Sequence, residues 1–164
     1  MLALVIGGAA SGKSEYAEQL AVKLHAQSGG ELYYLAAMLP WGQEAEARIA
    51  KHRQARAGKG FSTIECYLSL KTCEVPPGST LLLECMSNLL ANEMYEADGA
   101  GAHAVEEILY GIDILQKKVE NLVIVSNQID LDGVPYESST MEYLANLSAI
   151  NCGIARKAQS VTEV

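Results

Sequence analysis

The sequence contains no apolar run long enough to span a bilayer. It has no C-x-x-C pair: its four cysteines, Cys66, Cys73, Cys85 and Cys152, stand apart, and histidine near them is too sparse for a zinc pattern. These absences leave reduced, mostly buried thiols and a cytoplasmic setting as the expectation. Positive charge is scarce, with 12 Lys and Arg against 20 Asp and Glu and a formal net charge of −8. Such a chain is poorly suited to gripping a phosphodiester backbone, which sets nucleic acid aside as a main partner. Small anions stay possible, because local backbone N–H groups can bind them against the global charge. No basic residue precedes the apolar stretch MLALVIGGAA, and Lys13 follows it at once. It therefore reads as a strand and a turn rather than a cleaved leader. There is no internal repeat, low-complexity tract or linker.

The 164 residues suffice for one ordinary domain, spanning 1–164, with a real core. Hydrophobic residues make up 49% and charged residues 20%, a globular balance. Leu2 to Ile6 reads as a buried strand because glycines follow it. From Lys13 to Gln27, Tyr16, Ala17, Leu20, Ala21 and Leu24 recur as one helical face, and Gly29-Gly30 ends it. Leu32 to Leu35 is a second strand. Residues 42–57 form a charged helical pattern, Pro76-Pro77-Gly78 a turn, and Thr80 to Cys85 a third buried strand. A helix over 103–120 precedes a strand over Leu122 to Ser126, and residues 138–158 are helical. SVTEV looks like the start of a further strand that stops early. Alternating strands and helices predict an α/β fold with a mainly parallel sheet flanked by helices in three layers.

The turn after the first strand reads Gly7-Gly8-Ala9-Ala10-Ser11-Gly12-Lys13-Ser14, which satisfies G-x-x-x-x-G-K-[ST] between a strand and an amphipathic helix. The glycines allow successive backbone N–H groups to face phosphate oxygens, and the helix N-terminus adds its dipole. Lys13 is placed to reach the β- and γ-phosphates, and Ser14 to ligate Mg²⁺ bridging them. This is the P-loop of a nucleotide-binding domain. Such a loop commonly works with a carboxylate at the end of a neighbouring buried strand. Glu84 is the preferred candidate, and Asp130 and Asp132 after the later strand are alternatives.

Five of the twelve Lys and Arg residues fall between Arg48 and Lys59. On a helix, Arg48, His52 and Arg56 share one face. The default for such a run is a solvated basic face. In so acidic a chain it also suits a second anion contact, with His52 as acid, base or nucleophile.

Together these pieces resemble the bifunctional adenosylcobinamide kinase/adenosylcobinamide-phosphate guanylyltransferase family of cobalamin biosynthesis, over nearly the whole chain. The family's GGxRSGKS matches Gly7 to Ser14, and its R-I-x-x-H-R-x-x-R matches Arg48 to Arg56. W-x-T-x-E matches Phe61 to Glu65, and LLLEC matches Leu81 to Cys85. V-T-N-E-V looks like Val125 to Ile129, followed by Val134-Pro135 and Asn151. The resemblance implies two reactions. One is γ-phosphoryl transfer from GTP or ATP to the hydroxyl of the corrinoid substrate. The other is transfer of GMP from GTP through a guanylyl-histidine, which falls on His52. It further implies nucleotide contacts at Gly7, Gly8, Ala9, Ala10, Ser11, Gly12, Lys13, Ser14, Arg53, Gln54, Ala55, Arg56, Glu65 and Glu84. Mg²⁺ falls to Ser14 and Glu84, Lys13 is catalytic with His52, and the assembly is a homo-oligomer, a trimer in the best-known case.

The sequence departs from the pattern in places. Ala10 stands for Arg, Gln128 for Glu, Asp130 and Asp132 for glycines, and Tyr143-Leu144-Ala145 for F-R-D. Two competing readings stay open: another P-loop small-molecule kinase without a histidine intermediate, and a GTP-binding relative that no longer catalyses.

Overall fold

Each apolar run becomes a strand of one parallel sheet. The structure, a computed structural model, describes residues 1–128 and 137–164. The chain runs β1 (Leu2–Gly7), α1 (Lys13–Ser28), β2 (Leu32–Ala36), α2 (Gln43–Arg56), β3 (Ser62–Glu65), β4 (Thr80–Glu84), α3 (Met86–Tyr95), α4 (Ala104–Lys118), β5 (Asn121–Asn127), α5 (Ser138–Ala155) and β6 (Ser160–Glu163). The sheet order is β3-β2-β4-β5-β1-β6, and the described pairings are parallel. One strand, β5, separates the P-loop strand β1 from the Glu84 strand β4. Asp130, Asp132, Val134, Pro135 and Ile129 lie outside the described residues.

Side chains alternate across the strands and so divide the core in two. Leu2, Leu4, Leu81, Leu83, Leu122 and Ile124 belong to one buried cluster with Met86 and Leu89 of α3, Ile108 and Ile112 of α4, and Leu147 and Ile150 of α5. Ala3, Val5, Leu82, Val123 and Val125 form the other with Ala17 and Ala21 of α1. This is the three-layer arrangement that parallel strands require, because both sheet faces must be covered. Among the described residues no helix is long and apolar enough to cross a membrane.

Three local differences from the sequence pattern have physical causes. The row Lys13-Ala17-Ala21 meets the sheet, so Tyr16, one position back, is 40% exposed instead of buried. Glu18 is buried in its stead and forms an ion pair with Lys59. Two elements carried no distinct sequence signal. β3 is an edge strand with three exposed positions out of four, so it has no apolar run. Helix α3 begins directly after β4 with no side-chain cap and buries six of its ten residues, which removes the amphipathic stripe. Of the thiols, Cys66 and Cys73 are buried, whereas Cys152 faces outward.

Helix α4 passes tightly over the turn at Leu70–Thr72. A Cβ built on Gly111 would stand 2.5 Å from Leu70 Cβ and 3.2 Å from the Lys71 amide nitrogen. Gly111→Ala gains about 1 kcal/mol of helix propensity and loses roughly 1–3 kcal/mol to overpacking. We expect a net loss of stability. A urea midpoint equal to or above wild type would show that the turn simply moves aside.

Candidate functional site

The carboxyl ends of the strands collect the charged residues. Ala36 of β2 is in register with both Glu65 of β3 and Glu84 of β4. Two carboxylates thus sit on one edge, two strand spacings or roughly 10 Å apart, with a small residue between them. Gly7 ends β1 beside Asn127 of β5, and the P-loop rises from this point. Gly12 caps α1 at φ 91°, a conformation glycine adopts without strain. Ala10 adopts φ 55°, which an L side chain tolerates at a cost of about 1 kcal/mol. At Gly7 a Cβ would lie 2.5 Å from the Val164 carbonyl and 2.6 Å from Ser11 Oγ, so no larger residue fits.

A cavity of about 1320 Å³ opens between the P-loop and α2. Ala9 to Ser14, Tyr34, Glu65, Glu84, Cys85, Asn88 and Asn127 line it, with Arg48, His52, Arg53, Ala55 and Arg56 from α2. Arg48, His52 and Arg56, predicted at i, i+4, i+8, all line the cavity, together with their neighbours on α2. Gly7, Gly8 and Gln54, predicted as nucleotide contacts, lie off its wall, and Gln54 is exposed. Six of the chain's twelve Lys and Arg residues line the cavity, so this acidic protein concentrates its cations around one space.

Glu84 is the centre of the geometry. It is 7% exposed, which excludes the ordinary solvated strand-end carboxylate. Ser14 Oγ donates a hydrogen bond to Glu84 Oε1, and His52 Nδ1 stands 3.7 Å from the same oxygen. Lys13 is buried, and its Nζ donates to the Gly8 carbonyl at 2.7 Å. Arg53 pairs with Glu65 at 3.5 Å.

Sequence reasoning missed Tyr34. Arg56, 6% exposed, places its guanidinium 3.2 Å above the Tyr34 ring, a cation–π contact. Burial first, and then the Glu84 charge, push the Tyr34 phenol well above its ordinary range, so it stays neutral. The only sequence signal was a pair of phenol rings, Tyr33 and Tyr34, inside an otherwise apolar strand.

Among the described residues, Ser11 Oγ, Arg56 Nη1 and Glu84 Oε2 are buried without a hydrogen-bond partner. A hydroxyl, a guanidinium nitrogen and a carboxylate oxygen left open around one cavity match the phosphates and cation of a metal–nucleotide complex. Among the described residues no group of three or more His, Cys, Asp and Glu could hold a metal by itself. A cation here would draw the rest of its shell from phosphate oxygens and water.

Behind the cavity a polar network joins α3, β5 and α5. Asn127 Nδ2 donates to Ser87 Oγ at 2.8 Å, Asn151 Nδ2 to the Asn127 carbonyl at 3.2 Å, and Tyr143 OH to the Ser87 carbonyl at 3.0 Å. Burial pushes the Tyr143 phenol up to about 12. Between the ordinary phenol value of about 10 and that value, the unfolded chain releases a proton that the folded chain keeps. Stability therefore falls with rising pH in this window. Tyr143→Phe is expected to flatten the fall, measured as urea midpoints across about pH 9.5–11.5. An unchanged slope would assign it elsewhere.

Fold and site together define a P-loop NTPase-like α/β protein. Consistent with this, the ATPase domain of G40P superposes with a TM-score of 0.52 at 9% identity, covering 99% of this chain and 68% of that one. Residues 3–164 match the family described as cobinamide kinase / cobinamide phosphate guanyltransferase, and the chain belongs to that family of kinases and nucleotidyltransferases. The bifunctional adenosylcobalamin biosynthesis protein CobP of Pseudomonas aeruginosa is 32% identical over 162 residues, covering 97% of this chain and 90% of the relative. The bifunctional adenosylcobalamin biosynthesis protein CobU of Salmonella typhimurium is 27% identical over 175 residues, covering 98% and 93%.

Proposed function

We propose that the protein phosphorylates adenosylcobinamide with a nucleoside triphosphate and transfers GMP from GTP to the resulting phosphate through a guanylyl-histidine at His52. The observation that carries this reading is that the P-loop hydroxyl of Ser14 and the imidazole of His52 converge on one buried carboxylate, Glu84, in one cavity. Both reactions then draw on one triphosphate site.

In phosphoryl transfer, the P-loop amides and Lys13 hold the β- and γ-phosphates while the corrinoid hydroxyl oxygen attacks the γ-phosphorus; the bond to the β–γ bridging oxygen breaks, the nucleoside diphosphate leaves with the electron pair, and the hydroxyl proton passes to water. Ser14 and Glu84 would hold Mg²⁺, which when bound neutralises charge on the phosphate oxygens. In guanylyl transfer, the lone pair of an imidazole nitrogen attacks the α-phosphorus. The bond to the pyrophosphate oxygen breaks, and pyrophosphate leaves with the electron pair. The imidazole carries a positive charge until its remaining N–H proton is lost. Arg53 and Arg56 offset the negative charge on the phosphate. The corrinoid phosphate oxygen then attacks the same phosphorus and restores the imidazole. Gln54 and Ala55 supply helix backbone beside these cations rather than chemistry. The reading also includes a cytoplasmic single-domain enzyme working as a homo-oligomer, a trimer by family resemblance.

The test is incubation with GTP labelled at the α-phosphorus and Mg²⁺ in the absence of corrinoid. Covalent label that survives alkali and is released by acid supports the phosphoramidate. Absence of label despite measurable GTP binding would overturn it and favour a plain kinase.

A further inference from the structure

Resting on that reading, we propose that Trp41 receives the corrinoid: its indole packs against the macrocycle where this acceptor overhangs the cavity. Trp41 is the chain's single tryptophan. It is 67% exposed, the most exposed of the large apolar side chains among the described residues. Its place is the mouth of the cavity, because Met38 and Pro40 before it and Glu46 after it all line that space. The backbone turns tightly there, with the Trp41 N–H donating to the Leu39 carbonyl at 2.9 Å. A flat, amphipathic ring with few rotamers gives a large contact area at a low cost in entropy. Size, distance and charge select the macrocycle as its partner. Pockets of roughly 300–1,000 Å³ take one drug-sized ligand. The cavity of about 1320 Å³ has to serve a nucleoside triphosphate and a macrocycle with its amide arms, so the larger ligand extends past the mouth. Helix α2 starts at Gln43, and His52 lies roughly 14 Å further along its axis. A nucleotide base stands one ribose from its α-phosphorus and falls short of Trp41. The corrinoid carries its hydroxyl at the end of a side arm, so its ring lies well away from the phosphorus. The first turn of α2 carries Glu44 and Glu46, and its last turn Arg53 and Arg56. The carboxylates disfavour a triphosphate beside Trp41 and favour a cobalt(III) macrocycle of net positive charge.

The experiment titrates adenosylcobinamide into the full chain and reads tryptophan emission, which reports this one position. N-acetyltryptophanamide in the same titration corrects for the corrinoid's own absorption. Saturable quenching beyond that control is expected. In the phosphorylation assay, Trp41→Ala should raise the KM for adenosylcobinamide about tenfold, with a smaller change in kcat. Trp41→Phe should recover part of the loss. The KM for GTP in the labelling reaction without corrinoid gives the comparison. An unchanged corrinoid KM in Trp41→Ala, or quenching no greater than the control, would overturn the proposal. So would an equal rise in the KM for GTP, which puts the ring on the nucleotide, or a change in sedimentation mass, which puts it against a second copy of the chain. Failure of the two proposed activities reads differently: neither product forms, while saturable quenching by adenosylcobinamide persists.

Discussion

His52→Ala is expected to abolish covalent capture of GMP and, with it, transfer of GMP to the corrinoid phosphate. Removing a covalent nucleophile costs roughly 10⁴–10⁶ in kcat. No other described histidine can substitute, because His25 and His103 do not line the cavity. Phosphoryl transfer to a corrinoid hydroxyl needs no enzyme-bound intermediate, so it should persist at a reduced rate. The measurement follows both products from the same reaction, one from γ-labelled and one from α-labelled triphosphate. Persistent α-label on the protein in His52→Ala would place the nucleophile elsewhere.

Lys13→Ala is expected to produce the complementary loss. Lys13 is buried, and among the described residues one of its donors is engaged, by the Gly8 carbonyl at 2.7 Å. The remaining donors are available for the phosphate oxygens that gain charge in the transition state. Removing one such donor lowers kcat by about 10²–10³, so corrinoid phosphorylation should fall by that factor. Affinity for a nucleoside triphosphate should fall more than for the monophosphate, because the ammonium reaches the distal phosphates. Equal weakening of both nucleotides would show that Lys13 contributes field strength alone. Phosphorylation at the wild-type rate would remove it from the mechanism.

Much of this was legible in the linear sequence because its signals are local. The P-loop is a contiguous turn whose residue types follow from backbone conformation, so Gly7 to Ser14 could be assigned to phosphate before any fold was known. The buried strands β1, β4 and β5 are runs of branched apolar residues, and a run of that kind between turn signals has few alternatives. Helix α2 was visible from its charge periodicity, and Arg48, His52 and Arg56 could be put on one face of it, because 3.6-residue geometry is intrinsic to the helix.

What the sequence by itself determined, then, was an α/β chain with one phosphate loop and one cationic histidine helix. That these two features share a site was implied by the family resemblance and by no local pattern; tertiary structure supplies the physical reason. No spacing rule relates Ser14, His52 and Glu84, which meet only because strand order places β4 one strand from β1 and folds α2 across the sheet edge. The same holds for Tyr34 beneath Arg56 and for Glu18 buried against Lys59. Each is a polar residue at a position where local pattern predicts only strand or helix. Each is tolerated in the interior because a distant segment supplies its partner.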